Sequence, residues 1–185
     1  MTVDDSRSSI RLTPTDDPQA TGLAFYPGAK VDPQAYAHVL RPIAEAGFPV
    51  VIFKQPYNLA ILDSNAADTV IGDPDDTIDR WAVGGHSLGG AIASNSAETD
   101  RNELVGLLLY AAYPVNDIDE RRPDLPASTQ YVPIDGAIHS FFGDYGLQNG
   151  DGTPGTTRAD AQRQIADASI RFLETLESFD AGAGT

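Results

Sequence analysis

The stretch that most constrains how this chain can fold is Trp81-Ala82-Val83-Gly84-Gly85-His86-Ser87-Leu88-Gly89-Gly90. An apolar run leads into a doubled glycine, then a serine, then a second doubled glycine, and small residues continue to Ser94. Gly85-His86-Ser87-Leu88-Gly89 fits the G-x-S-x-G pattern, in which a buried strand turns sharply into a helix with the serine on the turn. The reason is steric. The turning residue takes a strained backbone conformation that lifts its side chain off the sheet, and bulk two residues to either side would clash. Gly85 and Gly89 therefore hold those positions, and Ser87 is the candidate nucleophile. The bland alternative is a glycine-rich turn with an idle serine; the strand before and the helix after argue against it.

Strands and helices alternate around this elbow, which predicts an α/β fold: a mostly parallel sheet with helices on both faces. Residues 1–9 read as a disordered start and 10–180 as a single domain. Residues 10–13 and 23–26 read as strands, with a hairpin at this end of the chain. Asp32-Pro33 is a helix start, a capping carboxylate followed by proline. Tyr36, Val39, Leu40 and Ile43 then recur at helical spacing, Pro42 predicts a kink or an early end, and Gly47 closes the element. Residues 49–53 form a strongly apolar strand that Pro56 stops, and a short helix is expected from Asn58 or Asp63 to about Val70. After the elbow strand (81–86) and elbow helix (89–98) comes a continuous apolar strand at 104–110, of the kind buried on both faces of a parallel sheet. Residues 130–134 read as the next strand and 141–157 as a Gly-rich surface loop. Thr157 caps a long helix with Ala161, Ile165, Ala168, Phe172 and Leu176 on its sheet-facing side. His86 is expected to point away from Ser87 in a structural role, and nothing near His38 gives it a partner.

Charge narrows the function classes. The chain carries 21 Asp and 6 Glu against 10 Arg and 2 Lys, a formal net charge of −15. Such a surface repels nucleic acid and anionic membranes, which both require a positive patch. Abundant Asp with almost no Lys matches proteins of a high-salt cytoplasm, where salt screens self-repulsion. There is no Cys, hence no disulfide framework and no thiolate metal site. No secretory signal is visible in the polar N-terminus, and the longest apolar run, 104–113, is too short to span a bilayer. A cytoplasmic location is the expectation.

Three segments together resemble a known family. The elbow from Trp81 to Gly90 is similar to that of α/β-hydrolase-fold proteins of the carboxylesterase and dienelactone-hydrolase-like kind. Phe25-Tyr26-Pro27-Gly28-Ala29-Lys30-Val31-Asp32 upstream and Asp135-Gly136-Ala137-Ile138-His139-Ser140-Phe141-Phe142-Gly143-Asp144-Tyr145-Gly146 downstream match a small prokaryotic group of that fold. The resemblance covers roughly residues 20–178 and implies a serine hydrolase. By it, His139 is the general base. The Leu88 N–H and an N–H of the loop after the 23–26 strand form the oxyanion hole, with Ala29 first choice and Lys30 second.

The pattern breaks in one place. The resembled fold normally inserts a further strand and helix before the histidine, and the catalytic acid follows that strand. Here only residues 111–129, with Pro114, Pro123 and Pro126, fill the space, so the sheet is expected to be shortened by one strand-helix unit. Asp117 is the first candidate for the acid, with Asp119 and Asp124 weaker ones. His139 taking its orientation from another group, or a degraded site, are the other readings. A lost acid costs such a triad about 10⁴ in turnover and leaves about 10³ over water, so the enzyme would be slow rather than inert. The expected function is hydrolysis of small acyl esters without metal or organic cofactor. The alternative is a catalytically impaired scaffold that binds a ligand or partner without turnover. A shortened sheet exposes an edge, so a homodimer is a further expectation.

Overall fold

The computed structural model describes residues 1–73, 77–97, 103–112 and 128–181. Six strands form one sheet: β1 (Thr2–Asp5), β2 (Ser9–Thr13), β3 (Thr21–Tyr26), β4 (Val50–Phe53), β5 (Arg80–His86) and β6 (Leu104–Tyr110), in the order β1-β2-β4-β3-β5-β6. β4, β3, β5 and β6 are mutually parallel, while β2 pairs antiparallel with both β1 and β4. Among the described residues three helices complete the layers: α1 (Gln34–Glu45), α2 (Leu88–Ala97) and α3 (Arg158–Ala181).

The central strands are apolar throughout because each alternate residue enters a different core. Leu23, Phe25, Val50, Ile52 and Ala82 pack with α1 and with Ile165 and Leu173 of α3. Ala24, Tyr26, Val51, Phe53, Trp81 and Val83 pack on the other face with Ile92 and Ala93 of α2 and with Ala60, Ala66 and Ala67. Helices thus cover both faces, as the alternation of elements predicts.

Local chemistry fixes the helix ends. Asp32 Oδ1 accepts the Gln34 N–H (2.9 Å) at the start of α1. Pro42 sits inside α1 without ending it, and Gly47 at φ 102° closes it with two tail bonds, Gly47 N–H to Ala44 O and Phe48 N–H to Ile43 O. Thr157 Oγ1 accepts the Asp160 N–H (3.1 Å) and donates to the Asp160 carboxylate (2.7 Å), capping α3. Near the other end of α3, the Glu177 carboxylate accepts the Thr21 N–H and Arg80 Nη2, both at 2.7 Å, and ties the helix to β3 and β5.

Four expectations need correction. Residues 1–9 are not a disordered start: β1 pairs with β2, and Lys54 reaches the Asp5 carboxylate and the Ser6 carbonyl (2.7 Å). The hairpin is β1–β2, not β2–β3, because β4 lies between β2 and β3. The expected helix after residue 58 is three short 3₁₀ turns, at Pro56–Asn58, Ala60–Asp63 and Ala66–Thr69. Residues 130–134 form no strand; Tyr131 and Val132 are exposed and Pro133 has no N–H to give a ladder. In addition, β6 is half-buried rather than buried on both faces, since among the described residues it is the last strand of the sheet. No helix among the described residues is long and apolar enough to cross a membrane.

Candidate active site

The site lies where the sheet's winding reverses. From β3 the chain passes through α1 to β4 on one side, and from β5 through α2 to β6 on the other. The loops leaving the carboxyl ends of β3 and β5 therefore diverge, and a crevice opens between them. Ser87 sits at the end of β5 with φ 54°, a left-handed conformation that costs a non-glycine residue about 1–2 kcal/mol. The fold holds it there. Its N–H donates to Tyr110 O (3.1 Å), and its own carbonyl accepts the Gly90 N–H (3.0 Å) at the start of α2. The glycine rule has a direct cause. A Cβ on Gly85 would lie 2.4 Å from the Gly89 backbone, and one on Gly89 would lie 2.2 Å from the Tyr26 carbonyl oxygen.

Gly28, Ala29, Val31, His86, Ser87, His139 and Gln148 line one cavity of about 140 Å³. Ser87 and His139 thus face the same space. The β3 loop joins them and also separates the two oxyanion-hole candidates. The Gly28 N–H donates to the Tyr36 hydroxyl (2.9 Å), the Lys30 N–H to Asn58 O (2.7 Å) and the Val31 N–H to Gly28 O (3.2 Å). Lys30 is therefore corrected as second choice: its N–H is spent within the fold and its side chain is exposed. The Ala29 N–H is the one left untaken among the described residues. The Leu88 N–H lies in the first turn of α2, where helix geometry provides no internal acceptor. The N-terminal end of α2 favours negative charge at this point.

His86 is more involved than its expected structural role. It is 1% exposed, and its Nδ1 lies 2.8 Å from the Tyr36 hydroxyl. That hydroxyl already accepts the Gly28 N–H, so its own proton goes to Nδ1 in the arrangement that satisfies all three groups. Nε2 is buried and makes no hydrogen bond among the described residues. Burial pushes the His86 pKa down to about 3, with His139 acting in the same direction, so the ring is neutral. It lies against the His139 ring, centroids 4.5 Å apart, and stacks on Phe142 at 6.0 Å.

His139 opens a 3₁₀ turn (His139–Phe142), half-buried. Burial lowers its pKa, which favours the neutral, proton-accepting imidazole, and the charge of Asp151 opposes that shift. No sheet strand carries this turn. Arg158 of α3 holds it instead, donating to the carbonyls of Ser140 (2.7 Å), Gly143 and Tyr145 (2.7 Å) with its guanidinium 4.9 Å from the Phe141 ring centre. Gln162 adds a bond to Gly143 O (3.2 Å), and the Asp144 N–H ties the loop to Ala35 O (2.6 Å). Tyr36, Arg158 and Gln148 were not foreseeable as site residues. Each acts through a tertiary contact, and only the buried position of Tyr36 on α1 shows in the hydrophobic spacing.

Asp117, Asp119 and Asp124 lie outside the described residues. Among the described residues no group of three or more His, Cys, Asp or Glu is arranged to hold a metal ion.

No curated protein is significantly similar to the chain. Similar solved structures include a monoacylglycerol lipase of Paleococcus ferrophilus (18% identity, 69% of this chain and 48% of that one, TM-score 0.49). A dienelactone hydrolase of Anabaena variabilis is similar at 17% identity (57% of each chain, TM-score 0.48), and a thermostable carboxyl esterase of Bacillus coagulans at 21% (58% and 42%, TM-score 0.42). The chain spans about half the length of these proteins. The sequence model of the alpha/beta hydrolase family matches residues 22–123, which run from β3 through the elbow and past β6. That is more than half of the sequence, and the chain belongs to the alpha/beta hydrolase family.

Proposed function

We propose that the protein is a serine hydrolase of small acyl esters. The observation that carries this reading is the shared cavity: Ser87, strained at φ 54°, faces the same space as His139 and Ala29. In the proposed reaction His139 takes the Ser87 proton as Oγ attacks the ester carbonyl carbon. The new oxyanion is received by the Ala29 and Leu88 N–H groups, which need no reorganisation because the loop and helix already fix them. Collapse breaks the ester C–O bond, and the leaving alkoxide takes its proton from His139. Water, deprotonated by the same imidazole, then releases the acid from Ser87. Family membership and the fold support hydrolase chemistry. The small size of the substrate rests on the cavity, about 140 Å³ against the roughly 300–1,000 Å³ of drug-sized sites, and an ester is the acyl substrate that an activated serine beside two backbone donors would serve. The charge of −15 favours concentrated salt as the working medium.

The short stretch between β6 and His139 favours one rival, a scaffold that binds without turnover. Labelling by a fluorophosphonate probe in high-salt buffer separates the two. Labelling of the wild type that disappears in Ser87→Ala, together with release of p-nitrophenol from its acetate ester, is the expected result. A folded wild type that does not label sinks the hydrolase reading.

A further inference from the structure

Most of the cavity wall is apolar or already committed. Gly28, Ala29 and Val31 of the β3 loop bring no side-chain hydrogen bond to it. Ser87 and His139 carry the proposed reaction, and the His86 ring has its Nδ1 taken by Tyr36 and its Nε2 buried. The remaining lining residue among those described is Gln148, whose side chain is exposed. Its place is fixed through the backbone. The Gln148 N–H donates to Asp151 Oδ2 (2.7 Å), and the Asp151 N–H donates back to Gln148 O (3.2 Å). Neither bond uses the carboxamide, so the turn presents that group without consuming it. The turn also continues the segment that carries His139. Tyr145 folds back to donate its hydroxyl to His139 O (3.4 Å), and Arg158 holds the Tyr145 carbonyl (2.7 Å) just before Gln148.

We infer that Gln148 is a specificity-determining residue on the leaving-group side of the site, and that it selects esters whose alcohol carries a further hydroxyl. The inference rests on the serine-hydrolase reading and narrows its substrate class. In that reading His139 hands its proton to the departing alkoxide, so the alcohol lies on the His139 side and the acyl oxygen toward the β3 loop that supplies Ala29. Gln148 belongs to the His139 side. Its carboxamide offers two donors and an acceptor, and a hydroxyl can meet either kind. The pairing is neutral, which suits a chain of net charge −15 that repels anionic substrates. An alcohol ending in a methyl group would fill the same space and leave the carboxamide to water. Because Gln148 is exposed, the discrimination is that of one solvated hydrogen bond, about two- to tenfold, rather than the far larger penalty of a buried group left unpaired.

The test pairs 2-hydroxyethyl acetate with propyl acetate, esters of one acyl group that differ by a hydroxyl against a methyl. kcat/KM is measured for both in high-salt buffer, in the full chain and in Gln148→Leu, Asp151→Ala, Asp151→Asn and Leu147→Ser. Comparing the ratio of the two values between proteins cancels the intrinsic reactivity of the esters. Gln148→Leu is expected to lower the ratio by about two- to tenfold while its backbone keeps the turn. Asp151→Ala withdraws the acceptor from the Gln148 N–H and lowers the ratio in the same direction, whereas Asp151→Asn retains an acceptor oxygen and keeps it. Leu147→Ser, beside Gln148 in the chain and 72% exposed, leaves the ratio alone. An unchanged ratio in folded Gln148→Leu overturns the inference, as does an equal fall in Leu147→Ser. Ser87→Ala gives a readout without turnover: the side-chain amide signals of Gln148 in its NMR spectrum shift with 2-hydroxyethyl acetate and not with propyl acetate. If that shift is seen while the wild type hydrolyses neither ester, the subsite stands and the hydrolase reading falls. Hydrolysis of both esters at a ratio that Gln148→Leu does not move upholds the hydrolase reading and overturns the subsite.

Discussion

Tyr36→Phe is the sharpest single perturbation of the site that leaves Ser87 and His139 untouched. Tyr36 is fully buried on α1, with its ring 5.2 Å from Phe25, and phenylalanine preserves that packing. The hydroxyl, however, is a junction. It accepts the Gly28 N–H at 2.9 Å and donates to His86 Nδ1 at 2.8 Å, and both partners are buried. Its removal leaves two buried polar groups unpaired at about 1–3 kcal/mol each, so a loss of roughly 2–6 kcal/mol is expected. Moving the proton on His86 does not help, since a protonated Nδ1 would be equally unpaired. Tyr110→Phe is the internal control. Among the described residues its hydroxyl meets Ser169 Oγ alone (2.7 Å), which keeps its own bond to Ile165 O (2.7 Å), so about 1 kcal/mol is expected. Denaturant unfolding of both variants in the same high-salt buffer gives the comparison. The Gly28 tether also fixes the neighbouring Ala29 N–H, so Tyr36→Phe, but not Tyr110→Phe, slows fluorophosphonate labelling by about tenfold. A Tyr36→Phe protein within about 0.5 kcal/mol of Tyr110→Phe, with labelling unchanged, would refute the junction argument.

Four further outcomes follow from the same geometry. Gly89→Ala should fail to fold, because its Cβ would sit 2.2 Å from a backbone oxygen, whereas Gly146→Ala, with nothing within 4 Å, should unfold within about 0.5 kcal/mol of wild type; soluble, equally stable Gly89→Ala would show the elbow to be looser than described. Ser87→Gly should abolish labelling yet match or exceed wild-type thermal stability, since glycine relieves the strain at φ 54° worth about 1–2 kcal/mol. Stability should fall with acid between about pH 6.5 and about 3, because the unfolded chain binds a proton at His86 that the folded chain refuses, and should be flat in this respect above 6.5; His86→Gln should flatten that slope, and an unchanged slope would place the acid sensitivity elsewhere. Arg158→Ala should reduce labelling by about tenfold or more while the elbow remains folded, because three carbonyls that shape the His139 loop lose a charged donor worth about 1.5–3 kcal/mol per bond; wild-type labelling would mean the loop holds itself.

What could be read in the sequence divides along a physical line. Elements whose stability comes from burial announce themselves by spacing: the runs in β3, β4 and β5, the Tyr36-Val39-Leu40-Ile43 stripe of α1, and the elbow, whose glycines are demanded by backbone contacts a few residues away. Elements held by pairing do not. β1 is exposed along its whole length and has no hydrophobic pattern to betray it; only the ladder to β2 makes it a strand. Residues 130–134 show the converse: Tyr131 and Val132 are strand-like in residue type, yet they lie exposed outside the sheet ladders.

The candidate site follows the same division, and this explains how it is built on a sheet without the expected extra strand. Ser87, Leu88 and Ala29 are set by β3, β5 and α2, a unit whose contacts all fall within the central sheet and its flanking cores. His139 is set separately. Its turn is fastened to the first turn of α3 by Arg158 and Gln162, to α1 through Asp144 and Ala35, and to β5 through the His86 ring. α3 is in turn locked to β3 and β5 by Glu177 at its far end. The position of His139 relative to Ser87 is therefore transmitted through a helix docked across the sheet, not through an adjacent strand. Deleting a strand between β6 and His139 need not move that side chain, provided the helix that carries its loop still docks on the strands that carry Ser87.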